Sequence, residues 1–356
     1  MKAPLALVCG LITLLVVIVL VDSHMTRPTT GGFVRDTLTF QGPPTLPPSP
    51  EPVTILAFGD MMLDRAVRRR ILVEGNEYPF APLIAANFFR GYDIVVANAE
   101  GPFTSQPSKT IVPGVTDLTF TFDPAMLPTL RAIGFTLLSQ SNNHTFDFGL
   151  DGYRESIANI EQAGIGWFGS FSNETVAPFV KNVRGQKIAF VGYHQYGAGG
   201  SAAVLAKIRE LRAADGMNAG AVSAVPATFI IVYPHWGEEY NPETTETQRT
   251  LAHAFVDAGA DAVLGAHPHV IEPIEVYKNR AIFYSLGNFI FDQDFSVATQ
   301  RGLAVSITID STHVRYETFP LALARGQASL LQNTEQSAQN PENNDVSGRI
   351  FTLERK

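Results

Sequence analysis

The chain has 356 residues, enough to bury a full core as one large domain or two ordinary ones. Its net charge of −8 excludes a general nucleic-acid binder, which needs clustered Lys and Arg to displace the counterions of a phosphate backbone. A single cysteine, Cys9, excludes an internal disulfide framework.

The first predicted element is the apolar run Leu5 to Val21, preceded by one charged side chain, Lys2. It is longer than a signal-peptide core of about 7–15 residues and slightly shorter than a comfortable spanning helix of about 20. No small-residue cleavage site follows it, and Val8 before Cys9 argues against a lipoprotein signal. Residues 1–21 are therefore expected to be a signal anchor that keeps the chain in the cell membrane with its bulk exported, or secreted if the segment is cleaved. Residues 22–52, rich in Thr, Gly and Pro and including "GPPTLPPSPEP", read as an extended linker that cannot bury enough apolar surface to fold alone. The folded body is expected over residues 53–325. A polar tail, 326–356, follows it, with a possible return segment at Arg349 to Leu353.

Within the body, strands are expected at "VTILAF", "DIVVAN", "FTLLSQ", "KIAFVGY", "TFIIVYP", "DAVLGA", "AIFYSL", "LAVSITI" and "VRYETF". Helices are expected at Pro79 to Phe89, Pro124 to Ile133, Leu150 to Gln162, Ala202 to Ala214 and Thr245 to Ala258, the last stopped by Gly259. This alternation predicts an α/β sandwich.

Polar residues follow the apolar strands in a regular way. Asp60 ends the first; Asn98 and Glu100 end the second; Asn142, Asn143 and His144 follow the third. His235, the pair His267-Pro-His269, and Asn288 close three later ones. In α/β folds ligands gather at the carboxyl ends of strands, where the loops converge on one edge. Singly each residue has an ordinary reading: Asp60 as a turn or helix cap, Glu100 and Asn143 as turn residues, His235 as a packing residue, His267-Pro-His269 as loop chemistry. Jointly they are hard to explain by packing. His194, His253, His24 and His313 lack such neighbours and read as structural or solvated. Mixed oxygen and imidazole ligands without thiolate suit a catalytic Mn, Zn or Fe centre of one or two ions rather than a structural zinc site. Such ions activate water and clamp a phosphoryl group, and a histidine outside the ligand set can protonate the leaving oxygen.

Six segments, "FGDMMLDR", "NAEGP", "SNNHTFDFG", "HWGEEY", "DAGADAVLGAHPHV" and "YSLGNFIFD", together resemble the CapA-type poly-γ-glutamate capsule biosynthesis proteins of the calcineurin-like metallophosphoesterase superfamily. The resemblance runs from about Val53 to Asp292. It implies a four-layer αββα sandwich. It also implies that Asp60 and His269 bind one metal, that Asn143, His235 and His267 bind a second, and that Glu100 bridges them. His144 then matches the leaving-group acid, with Asp147 placed to orient it. Arg65 could meet an anionic substrate or form a surface salt bridge, and Asn288 is expected to line the cleft. One departure stands out: where the superfamily has Asp-x-His, this chain has Asp60-Met61-Met62, so the first metal loses an imidazole.

Two functions follow. One is an exported, metal-dependent hydrolase acting on a phosphoester or a γ-glutamyl polymer. The other is a non-catalytic scaffold that guides an anionic polymer beside membrane-bound polyglutamate synthesis proteins. An amidohydrolase barrel fails on order, since its H-x-H belongs on the first strand and here it comes late.

Overall fold

Residues Val53–Met61 carry an almost unbroken apolar run and form β1, buried along both faces apart from one half-exposed position. A strand of that kind must be covered on both sides. The computed structural model describes residues 51–114, 116–216, 228–331 and 348–355; the apolar run 1–21 and nearly all of the 22–52 linker lie outside them. After β1 come α1 (Arg65–Glu74), a 3-10 turn (Tyr78–Phe80), α2 (Ala81–Ala85), β2 (Ile94–Ala99), α3 (Met126–Ile133), β3 (Leu137–Ser139), α4 (Gly149–Gln162) and β4 (Gly166–Phe168). Next are β5 (Phe179–Val183), β6 (Gln186–His194), α5 (Ala202–Gly216), β7 (Phe229–His235), α6 (Glu246–Ala258), β8 (Ala262–Leu264), β9 (Ile274–Tyr277) and β10 (Arg280–Phe283). The chain closes with β11 (Asn288–Ile290), β12 (Arg301–Ile309), β13 (His313–Ala324), β14 (Gln327–Leu330) and β15 (Ile350–Glu354).

These strands form two mixed sheets. One runs β14-β13-β12-β1-β2-β3-β4, with β11 also on β1 and β15 on β13; the other runs β5-β6-β7-β8-β10-β9. Three apolar cores define the layers. Ile55, Val96, Leu137 and Val305 of the first sheet meet Ile188, Phe190, Ile231 and Leu264 of the second in the central core. On the far side of the first sheet, Phe58, Val95 and Leu138 pack against Val67, Leu83, Leu130 and Ile160 from α1 to α4. On the far side of the second, Val191, Ile230 and Val263 pack against Val204 and Ile208 of α5 and Phe255 of α6. The order is helices, sheet, sheet, helices.

The first sheet changes partner where chemistry begins. β1 pairs antiparallel with β12 as far as Ala57↔Val305, and from Asp60 onward pairs in parallel with β11. The register sets Asp60 beside Asn98 on one side and Asn288 on the other. In the second sheet β6, β7 and β8 are parallel, with His194 beside His235 and His235 beside Ala266. Both sheets therefore deliver strand ends to one rim.

Some expectations need correction. The helix expected over Pro79 to Phe89 breaks into a 3-10 turn and five residues of α2. Pro79 and Pro82 have no N–H to continue a helical ladder, so each is tolerated only in a first turn. The body does not stop at Arg325, because β14 completes a hairpin with β13; the possible return segment at Arg349 to Leu353 corresponds to β15, which adds to the same strand. α6 starts as expected on Thr245, which forms a reciprocal capping box with Gln248, and ends at Gly259 with φ of 119°.

Candidate metal centre

The two strand-end carboxylates and the H-P-H pair meet in a buried space. Ligand atoms of Glu100, His267 and His269 all lie within 4.8 Å of one another. A cation bound at about 2.0–2.2 Å holds its ligands at comparable spacing. His267 and His269 have φ of 99° and 59°, left-handed values that cost on the order of 1–3 kcal/mol each. That strain turns both rings of a three-residue segment inward. The His267 backbone N–H donates to Asp60 Oδ2 at 2.9 Å and Tyr240 N–H to the Pro268 carbonyl at 2.8 Å, holding the turn.

Backbones approach here without intervening side chains. A methyl at Gly59 would collide with the Gly287 carbonyl, one at Gly265 with the Tyr284 carbonyl, and one at Gly302 with the Asn288 carbonyl. Glycine is required at all three, since only a missing Cβ lets the main chains pass so closely.

A relay of asparagines orders the other imidazole. The Ala99 carbonyl can only accept, so the Asn142 atom 2.8 Å from it is the amide nitrogen. Asn142 Nδ2 also donates to Asn98 Oδ1 at 3.0 Å, and Asn98 Nδ2 donates to Asp60 Oδ1 at 2.8 Å and to His235 Nδ1 at 3.1 Å. His235 therefore carries its proton on Nε2, which faces Asn143 Oδ1 at 2.7 Å and His267 Nδ1 at 3.0 Å. Asn98 and Asn142 were visible at strand ends, but nothing in their spacing marks them as the supports of Asp60 and His235.

Charge follows burial. Burial drives His235 well below its ordinary pKa, with neighbouring imidazoles adding to the effect, and it holds His267 down at about 4. Burial pulls on His269 too, but the Glu100 carboxylate and then Asp60 more than reverse it, to about 9. Burial pushes Glu100 well above the carboxylate range. Glu100 Oε1 lies 3.6 Å from His269 Nε2, so at neutral pH this pair retains a proton that a cation would displace. Glu100 Oε2 is buried and has no partner. An unsatisfied oxygen of this kind is costly, and it fits a residue made to hold a cation.

Each expected residue can be placed. Asn143, His235, His267, His269 and Glu100 converge. Asp60 stands beside the Glu100–His267–His269 cluster rather than in it, both oxygens already accepting hydrogen bonds, 3.4 Å from His269 Nδ1 and 3.8 Å from His235 Nδ1. Met62 is fully buried in the outer core and supplies no substitute for an imidazole. His144 sits at the rim with Nδ1 2.9 Å from Asp147 Oδ2, the same oxygen that accepts the Phe120 N–H at 2.7 Å. Asn288, expected to line the cleft, is fully buried beside His269, its Oδ1 3.0 Å from Nδ1 of that ring. Arg65, at φ of 56°, sets Nε 3.2 Å from Asp292, and its guanidinium stands 5.9 Å from the Phe120 ring and 5.8 Å from the Phe291 ring. Those two rings pack on His144 and His269. Among the described residues its two Nη atoms make no hydrogen bond. His194 and His253 are structural, bonded to the Phe171 carbonyl and to Glu275.

The family model for the bacterial capsule synthesis protein PGA_cap matches residues 54–293. The PGA biosynthesis protein CapA of Bacillus subtilis is 32% identical over 270 residues, 74% of this chain and 70% of its own. The chain belongs to the PGA_cap family. The capsule biosynthesis protein CapA of Bacillus anthracis is 29% identical over 284 residues, 78% of this chain and 69% of its own. Among solved structures, a Thermus thermophilus sulfate thiohydrolase SoxB overlaps 81% of this chain and 57% of its own at a TM-score of 0.40 and 14% identity. The PGA_cap match encloses the site from Asp60 through Asn288.

Proposed function

We propose that this PGA_cap protein is a metal-dependent hydrolase serving capsule or poly-γ-glutamate synthesis, exported and held at the membrane by its N-terminal apolar run. The observation that carries the reading is the convergence of Glu100, His267 and His269 in one buried volume, beside Asn143 and His235, with one Glu100 oxygen left buried and unpartnered. A divalent cation such as Mn, Zn or Fe held by these residues would polarise the scissile group and lower the pKa of water. Asn143 Oδ1, His235 Nε2 and His267 Nδ1 already close around one proton, the place such an ion would take. Asp147 fixes the His144 proton on Nδ1 or on both nitrogens, so that when both are protonated Nε2 can pass a proton to a leaving oxygen. Arg65 offers its outward edge to an anionic group next to the scissile bond. A phosphoester and the γ-amide of a glutamyl polymer both present such a group.

The second reading is a scaffold that binds the polymer without cutting it. Burial of Met62, which removes an imidazole from the first metal position, favours it. Metal content and turnover on bis-p-nitrophenyl phosphate and on a γ-linked glutamate oligomer separate the two. For the hydrolase, wild type holds metal and turns over one substrate, His267→Ala loses both properties, and His144→Ala keeps metal but loses turnover. Metal retained without turnover in wild type overturns the hydrolase in favour of the scaffold.

A further inference from the structure

Tyr196 lies in the loop between β6 and α5, outside every motif of the sequence, and the residue is 53% exposed. Its hydroxyl makes two contacts, one to the Gly237 carbonyl at 2.7 Å and one to His267 Nε2 at 2.9 Å. A carbonyl oxygen only accepts, so the single hydroxyl proton goes to Gly237. The second contact must then run the other way, with His267 Nε2–H donating to the hydroxyl oxygen. The opposite side of the ring agrees but does not fix it. The asparagine relay leaves His235 as a donor from Nε2, whose nearer acceptor is Asn143 Oδ1 at 2.7 Å, with His267 Nδ1 second at 3.0 Å. The arrangement assigns a neutral imidazole with its lone pair on Nδ1, held there by Tyr196.

His269, one proline away, is fixed in the reverse sense. Asn288 Nδ2 donates to Gln293 Oε1 at 3.0 Å and to the Thr299 carbonyl at 2.9 Å, so its Oδ1 accepts from His269 Nδ1. Nε2 of His269 is thereby the nitrogen that faces Glu100, and the one whose proton a cation would displace. Adjacent imidazoles of one turn thus present different nitrogens to the same volume. A buried asparagine sets one and a rim tyrosine sets the other.

We propose that Tyr196 is a positioning residue that locks His267 in the tautomer with Nδ1 open for coordination, through the relay Gly237 carbonyl, Tyr196 hydroxyl, His267 Nε2–H. The Tyr196 ring packs on His267 with centroids 4.9 Å apart, and Tyr196→Phe keeps that contact while removing only the hydroxyl. The consequence for coordination rests on the cluster being a cation site; the tautomer does not.

The test has two arms on the purified full chain. In the first, ¹⁵N-labelled protein stripped of metal is read by long-range ¹H–¹⁵N correlation of the imidazoles. Wild-type His267 shows an unprotonated Nδ1 and a protonated Nε2; Tyr196→Phe shifts His267 toward a tautomer mixture while the His269 pattern stays as in wild type. A protonated Nδ1 on wild-type His267, or a Tyr196→Phe spectrum identical to wild type, overturns the lock. In the second arm Zn²⁺ is titrated calorimetrically. Tyr196→Phe binds about 10- to 100-fold more weakly, the usual loss when the partner of a ligating imidazole is removed. Unchanged Zn²⁺ affinity overturns the coordinating role. A wild-type chain that takes up no Zn²⁺ refutes that role and the metal-centre reading together, leaving the lock to be judged on the spectra alone.

Discussion

Asp147 uses one carboxylate oxygen twice, for the Phe120 backbone N–H and for His144 Nδ1. The carboxylate can only accept, which fixes a proton on Nδ1 and sets the ring against Phe120. Asp147→Asn can present an amide N–H to the ring instead and reverse the tautomer. We expect turnover to fall by about 10²–10⁴, the range associated with a general acid, while metal content in the same preparations stays at the wild-type level. Glu272 behaves differently, being buried with Oε2 on Gln248 and Oε1 unpartnered. Burial raises its pKa to about 8 from the ordinary 4.5. The folded chain therefore binds a proton that the unfolded chain has already released between those values. The sign is that stability falls as pH rises from 4.5 toward 8 and then levels. Glu272→Gln removes that slope. Urea midpoints at pH 5 and pH 8.5 should show the variant gaining on wild type at the higher pH, by on the order of 1 kcal/mol or more.

At the scale of elements, α6 connects the helical layer to the site. The Thr245 side chain accepts from the Gln248 backbone, and Gln248 Oε1 returns to the Thr245 backbone N–H at 2.8 Å. The same Gln248 side chain donates to Glu272 at 2.7 Å and lies against Gly237, whose carbonyl receives the Tyr196 hydroxyl. Thr245→Ala should cost about 1 kcal/mol by urea denaturation, the usual loss for a missing N-cap. The bounds of α6 were legible, because Thr245 precedes the apolar stripe and Gly259 ends it; the capping box was not read. The neighbouring elements were less so. β4 and β5 are short, and β5 exposes three consecutive side chains, so neither shows the alternation that marks a half-buried strand. β11 is three residues long and exists because β1 changes partner at Asp60, a long-range event with no local signal.

The molecule as a whole explains why its site was more readable than its outline. The central strands β1, β2, β6, β7 and β8 are buried on both faces, so their apolar runs announced themselves, and the polar residue after each run was conspicuous against them. Glu100, Asn143, His235, His267 and His269, which the fold brings together, stood out for that reason, as did Asp60 beside them. Tyr196, Asn98 and Asn142 act by pointing at other side chains, and their placement depends on sheet packing rather than on neighbours in sequence. The limit of the folded body was missed at Arg325 because β14 joins a sheet whose edge only the assembled layers reveal. Three glycines, Gly59, Gly265 and Gly302, let main chain pass main chain beneath the rings. That floor has no side chain to exchange, so substitution cannot reshape it by degrees: any larger residue pushes strands apart. Side-chain variation at this rim is thereby left to residues off that floor, such as Phe120 and Phe291, which pack on His144 and His269.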